Sequence, residues 1–291
     1  MNKKTYFQKN NLADIIVLAF LSLFGLIVLY PFYNSLLVSI VPQQVYLKTP
    51  FMLYPPQLDF SSYKFVFSSD TILNGLKTTT VILIVGVAYN MFLTVTMGYA
   101  LTKPIPGRKV FSMFIIFTMY FSGGLIPLYI LVQKLGMLNT LSSMIVPTGI
   151  NISYMLIIMR FFDEIPKELE ESAKIDGANE ITILFRIVLP LSLPILATFA
   201  LYYGVERWNE WWYGMLFIKS SLKLPLQMVL RNIIQDSNVL MANIPDNAKA
   251  NVFSDGIKMA SVIITMFPVV CIYPFMQRFF ITGLTAGAVK S

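Results

Sequence analysis

Residues Ile15–Tyr33 run for 19 positions without one charged side chain. A helix crossing the hydrocarbon core of a bilayer needs about 20 apolar residues. Five more stretches reach comparable length: Thr78–Leu101, Val110–Gln133, Leu135–Met159, Ile187–Val205 and Met259–Gln277, the last framed by Lys258 and Arg278. Inside lipid every backbone N–H and C=O must be paired within the protein, which leaves helices and closed barrels. Apolar runs this long are helical, so the expectation is an all-α integral membrane protein with six transmembrane helices. Composition agrees, because charged residues make up 13% of the chain against about 25% in soluble domains.

Lysine and arginine bias in short loops orients such a protein. With the N-terminus inside, the cytoplasmic pieces are 1–14, 102–109, 160–186 and 278–291. They carry Lys3, Lys4, Lys9, Lys103, Arg108, Lys109, Arg160, Lys167, Lys174, Arg186, Arg278 and Lys290. The outer piece 206–258 also holds several, but long loops count for less, and the expectation is N-in/C-in. The net charge of +7 is explained by that orientation and needs no nucleic-acid partner. The first apolar run has no small-residue cleavage site after it and reads as a retained span. The chain has no histidine and one cysteine, Cys271. That excludes a disulfide framework, a zinc site and Ser-His or Cys-His catalysis within it. No catalytic or metal-binding residue is expected.

The spans contain many breakers, among them Gly86, Gly98, Gly123, Gly124, Pro127, Pro147, Gly149, Pro194 and Pro268. Broken helices are tolerated where protein or a cavity satisfies the freed backbone, which suits a pore better than an anchor. Gly123-Gly124 is expected to serve helix packing. Cys271 is expected to be buried and inert, and Asn90, Asn139 and Asn151 to form hydrogen bonds between helices. Outside the spans, 34–77 is expected to be a structured extracellular segment, and 224–234 an interfacial helix.

The segment 163–190 is charged, contains turns and lies between two apolar stretches. Pro166 suits the first position of a helix, where a missing N–H costs nothing. Glu168, Glu170 and Glu171 place negative charge near the helix N-terminus. Asp176-Gly177 ends the helix, glycine being the residue that takes positive φ freely. Asn179 caps a second helix whose Ile181, Leu184, Phe185, Ile187 and Val188 lead into the fifth span, bent by Pro190 and Pro194. A short helix, a sharp turn and a helix entering the membrane form a surface that can pass a push from a soluble partner to a pore.

The spacing Glu171…Ala173…Gly177…Ile187…Leu189-Pro190 matches the EAA loop of bacterial ABC importer permeases, with Ser172 where a second alanine is usual. Ser122-Gly123-Gly124-Leu125-Ile126-Pro127, Trp208-Asn209 and the tail Gly283–Lys290 resemble the carbohydrate-importer branch of that family, and the likeness covers most of 12–291. The resemblance implies the type I ABC importer permease fold, with a permease core over 78–282 and cytoplasmic ends at 1–14 and 283–291. It implies that the loop is a coupling helix seated on a separate ATPase, with Glu171, Ser172, Ala173, Asp176, Gly177, Ala178, Leu189 and Pro190 as the coupling residues. The implied partners are a second permease, two cytoplasmic ATPase subunits and an extracellular solute-binding lipoprotein. The implied location is the bacterial plasma membrane. No Gly-x-x-x-x-Gly-Lys-[Ser/Thr] occurs, so ATP and Mg²⁺ belong to the ATPase partner and this chain needs no cofactor.

All three tryptophans fall within Tyr202–Tyr213. Aromatic faces beside amides and carboxylates suit sugars, making Tyr203, Glu206, Trp208, Asn209 and Trp211 candidates for the substrate path. An interfacial aromatic belt explains the same residues, and both readings stand, with Asn209 favouring the sugar. Two other functions fit less well: an ABC permease for a non-sugar solute, and an ion-coupled transporter, which needs ionisable groups in mid-span.

Overall fold

The computed structural model describes residues 12–49, 51–235 and 253–288. All regular elements among them are helical. The contacts divide the chain into two compact units, one drawn from 1–68 with 236–264 and the other from 69–235 with 265–291.

In the first unit, α1 (Leu12–Ser39) continues past Tyr33, where the apolar run stops. No residue in its most apolar stretch is buried, so its side chains are left for lipid or for a neighbouring polypeptide. The segment after it is ordered, as expected. It folds into α2 (Gln43–Lys48) and α3 (Ser61–Ser68) around Leu37, Val41 and Met52. Asp59 Oδ1 accepts the Ser61 N–H at 2.8 Å at the start of α3.

The second unit is built around α4 (Asp70–Thr102), which begins eight residues before the expected Thr78. The third apolar stretch is two helices, α5 (Arg108–Tyr120) and α6 (Leu125–Lys134), meeting at 114°. Gly123 and Gly124 form that break, and Gly124 has φ 86°. No neighbouring atom lies within 4 Å of where a Gly124 side chain would begin. The expectation of packing glycines is therefore corrected: they make a corner.

The fourth stretch is broken as well. Pro147 and Gly149 separate α7 (Ser142–Ile145) from α8 (Ile152–Asp163), which Asn151 caps by accepting the Ser153 N–H at 3.1 Å. Twelve residues rise about 18 Å, short of a bilayer.

Beyond α9 (Lys167–Ile175) and α10 (Glu180–Ile183), a π-helical turn over Leu184–Val188 leads to α11 (Leu189–Leu191). The chain then bends by 85° at Ser192 into α12 (Leu193–Trp208). Helix α13 (Trp212–Phe217) follows, and α14 (Leu226–Gln235) forms in the stretch 224–234 where a helix was expected. The last helix, α15 (Ser254–Ala288), carries Pro268 and Pro274 inside it.

Among the described residues, three helices are long and apolar enough to cross a membrane, or five if each bent pair counts as one span. Cys271 is exposed on this chain, not buried. Helix α4 packs chiefly on α8 and α12. The main core joins Val95 and Tyr99 of α4, Ile158 and Phe162 of α8, and Phe199 of α12 to Ile183, Leu184 and Val188. The loop at 163–190 is thus rooted in the same core as the apolar helices.

Candidate coupling site

Helix α9 starts one residue later than its sequence suggests, with Pro166 at the flanking position and Lys167 the first helical residue. It ends in a Schellman turn. The Gly177 N–H donates to Lys174 O at 3.0 Å, and the Ala178 N–H reaches back to Ala173 O at 2.9 Å. This pairing satisfies the last carbonyls of the helix and requires positive φ at the glycine; Gly177 has φ 84°. Asn179 Oδ1 then accepts the Thr182 N–H at 2.8 Å and caps α10, as its sequence position implied.

The loop presents two faces. Ala173, Ala178 and Leu189 are half-buried and pack on the main core, which their small or apolar side chains permit. Glu171, Ser172, Asp176, Gly177 and Pro190 are exposed. Around them stand Ile175 at 87% exposure, Ile181 at 69% and Phe185 at 60%. Grouped exposed apolar side chains are what a contact surface for another protein or a membrane presents.

Charged residues tie this loop to the end of α4. Lys103 Nζ touches the Glu170 carboxylate and lies 3.5 Å from Glu180 Oε2. The Tyr99 hydroxyl donates to Glu180 Oε2 at 2.8 Å, and Lys174 Nζ lies 2.7 Å from Glu180 Oε1. The hydrogen bond to Glu180 holds the Lys174 ammonium above the ordinary lysine range. Glu180 is the first residue of the short helix α10, and no pattern in the sequence singled it out. Its link to Lys103 crosses 77 positions, a distance no local pattern reports.

The aromatic segment is divided between inside and outside. Tyr203 is 1% exposed; its hydroxyl pairs with Thr94 Oγ1 at 2.8 Å and accepts the Asn151 N–H at 2.9 Å. Trp208 is also buried and donates Nε1–H to Thr265 O at 2.9 Å. Glu206 and Asn209 are exposed. The Tyr154 hydroxyl donates to Glu206 Oε1 at 2.7 Å, and the Tyr154 ring lies 5.7 Å from Tyr202 and 5.0 Å from Phe199. Asn209 Oδ1 accepts from Gln227 Nε2 at 3.1 Å. Trp211 is half-buried, with the Arg231 guanidinium 4.2 Å from its ring.

Between Glu206 and Trp208 lies Arg207, a residue the sequence reading passed over, 3% exposed. Its Nε and Nη2 donate to Asn90 Oδ1 at 2.9 and 2.8 Å, Nη1 to Met144 O at 2.7 Å, and Nη2 to Thr148 O at 2.7 Å; Nη1 also meets Thr148 Oγ1. All these acceptors are neutral. Several are carbonyls at the C-terminal end of α7, where a cation is favoured. Gly86 makes the space: a side chain there would begin 2.9 Å from Arg207 Nε. The spacing Gly86…Asn90, one helical turn apart, was the available signal.

A helical membrane protein with an ordered, partner-ready loop rooted in its core is the membrane subunit of a multi-protein transport system. The chain belongs to the family described as binding-protein-dependent transport system inner membrane component, which matches residues 91–286. It is similar to Protein LplC of Bacillus subtilis (strain 168), with 40% identity over 95% of this chain and 94% of that protein. It is also similar to the polygalacturonan/rhamnogalacturonan transport system permease protein YtcP of the same organism, with 37% identity over 97% of this chain and all of that one. Among solved structures it resembles a chain of a bacterial ABC transporter involved in the import of the acidic polysaccharide alginate. The TM-score is 0.86 and the identity 29%, over 95% of this chain and the whole of that chain.

Proposed function

We propose that the chain is the permease subunit of an ATP-driven ABC importer that carries a carbohydrate, an oligosaccharide or polysaccharide fragment, across a bacterial plasma membrane. An extracellular solute-binding lipoprotein delivers the sugar. A second, similar permease completes the pore, and two cytoplasmic ATPase subunits bind ATP and Mg²⁺. The observation that carries this reading is the exposed turn between α9 and α10, with Glu171 and Ile175 on α9, Gly177 in the turn and Ile181 on α10. The likeness to sugar permeases sets the substrate class.

Six spans with both ends inside remain our topology. Two contacts support it. Lys103 from the expected cytoplasmic piece 102–109 pairs with Glu170 and Glu180, which flank the turn in 160–186. At the opposite end of α4, Thr79 Oγ1 accepts the N–H of Leu226 from the expected outer piece, at 2.8 Å.

In this reading ATP binding draws the ATPase subunits together and moves α9. The membrane helices turn the pore outward to receive sugar, and hydrolysis returns them. The sugar path runs past Glu206, Asn209 and Trp211, with Tyr154 and Tyr202 adding ring faces, while Tyr203 and Trp208 shape the path from behind. The test is Glu171→Lys in the assembled complex. The expected result is loss of ATPase co-purification and of uptake with normal membrane insertion. Retained ATPase and unchanged uptake overturn the assignment.

A further inference from the structure

Helix α9 is joined covalently to α12 by a broken route. The route passes through the Schellman turn, the π-helical turn over Leu184–Val188 and the 85° bend at Ser192. π-turns depart from the regular helical ladder and recur at functional sites. Ser192 Oγ, at the bend, is buried with no hydrogen-bond partner among the described residues, so the bend is not pinned by its own hydroxyl.

A second route runs through charge. Lys103, on the residue that follows α4, contacts Glu170 of α9 and lies 3.5 Å from Glu180 of α10, and its ammonium sits 4.2 Å from the centre of the Tyr99 ring. Glu180 in turn accepts from Tyr99 of α4 and pairs with Lys174 of α9. The Lys103 and Glu170 side chains are 15% and 20% exposed, shielded enough that salt screens them less than a surface pair. They border a cavity of about 310 Å³ that Arg108 and Asp163 also line.

We propose that Lys103 and Glu180 form an ionic clamp that transmits the motion of α9 to α4, bypassing the bend. They are positioning residues for coupling and touch neither ATP nor sugar. This inference rests on the reading of α9 as the ATPase-contacting helix. Helix α4 also carries Asn90, which holds Arg207 of α12. A displacement at Lys103 therefore reaches the far end of α12 through α4.

The experiment uses the complete importer in proteoliposomes and measures sugar moved per ATP hydrolysed. Lys103→Met is expected to lower that ratio about fivefold, the scale on which residues between two sites alter coupling, with the ATPase still co-purifying. Glu180→Gln, which keeps the Tyr99 hydrogen bond, lowers it in the same direction. The double variant loses less than the two single losses combined, and Lys103→Arg restores the ratio. An unchanged ratio in both single variants overturns the clamp, as does additive loss in the double variant. Glu171→Lys separates the two claims. If it removes the ATPase while Lys103→Met leaves the ratio intact, docking stands and the clamp falls. If it leaves docking and uptake unchanged, the docking reading falls first.

Discussion

Two places along α4 are held by opposite kinds of chemistry. At the loop end Lys103 meets two carboxylates in a partly solvated pocket, and Lys174 stands in water beside one of them. Midway along the helix, at Asn90, Arg207 is buried and donates its hydrogen bonds only to neutral groups: an amide, a hydroxyl and main-chain carbonyls. Water lowers the cost of separating charges at the first site, so that network can be remade during a conformational cycle. At the second site no solvent is available to replace a lost contact. One place is built to be worked and the other to stay closed.

The comparison breaks most visibly at Arg207. Replacing it by methionine keeps much of the bulk but strands Asn90 Oδ1 in an apolar surround, while Thr148 O keeps the Asn90 amide and Met144 O the Thr148 hydroxyl. Leaving a buried acceptor without its donor costs about 1–3 kcal/mol. Arg207→Met is therefore expected to reduce the yield of monodisperse protein and to lower its unfolding temperature. Lys103→Met is expected to fold normally. Equal stability in the two variants would erase the distinction between the two places.

Gly86 and Gly98 sharpen it further, because both lie on α4 and both are buried. A Cβ at Gly86 would sit 2.9 Å from Arg207 Nε and 3.0 Å from Arg207 Cδ. That side chain is held by hydrogen bonds along its guanidinium and cannot swing away. Overpacking costs about 1–3 kcal/mol, against a gain of about 1 kcal/mol from replacing glycine by alanine in a helix. Gly86→Ala is expected to destabilise by about 1 kcal/mol net. At Gly98 the nearest atom is Met155 O at 3.7 Å, ordinary contact, so Gly98→Ala gains the propensity without the clash and is neutral or stabilising. Thermal unfolding of the two variants side by side reads the sign.

The same contrast explains what could be read from the chain in advance. The loop's geometry was legible because its determinants are local: Gly177 for positive φ, Asn179 for the cap, Pro166 and the acids for the helix start. The family likeness followed from those residues at that spacing. The Arg207 clasp and the Lys103–Glu180 contact were not legible, since their partners lie 117 and 77 positions apart. The breakers in the apolar runs were legible, but not what each would do. Hydropathy carries 110–133 and 135–159 as two spans, and the Gly123-Gly124 corner and the Pro147–Gly149 break cut both into shorter helices. In the aromatic segment, composition could not say which rings face inward; Tyr203 and Trp208 do because each has a hydrogen-bond partner inside the subunit.

The smallest expected effect concerns pH. The hydrogen bond to Glu180 raises the Lys174 pKa above its ordinary value. A group whose pKa is higher in the folded state adds stability that is fully present below its unfolded value, about 10.4 for lysine. That stability is lost as pH rises through the folded value. Protection of the Gly177 and Ala178 amides from hydrogen exchange, after correction for intrinsic exchange rates, is therefore expected to hold between pH 7 and pH 9. It is expected to weaken only in the alkaline range beyond lysine's ordinary pKa. Lys174→Met removes that alkaline step while leaving protection around Asn90 and Thr148 unchanged, because the acceptors at that site are neutral. A step surviving in Lys174→Met would show that another group governs the loop. A matching step at Asn90 would show that the two sites along α4 open together.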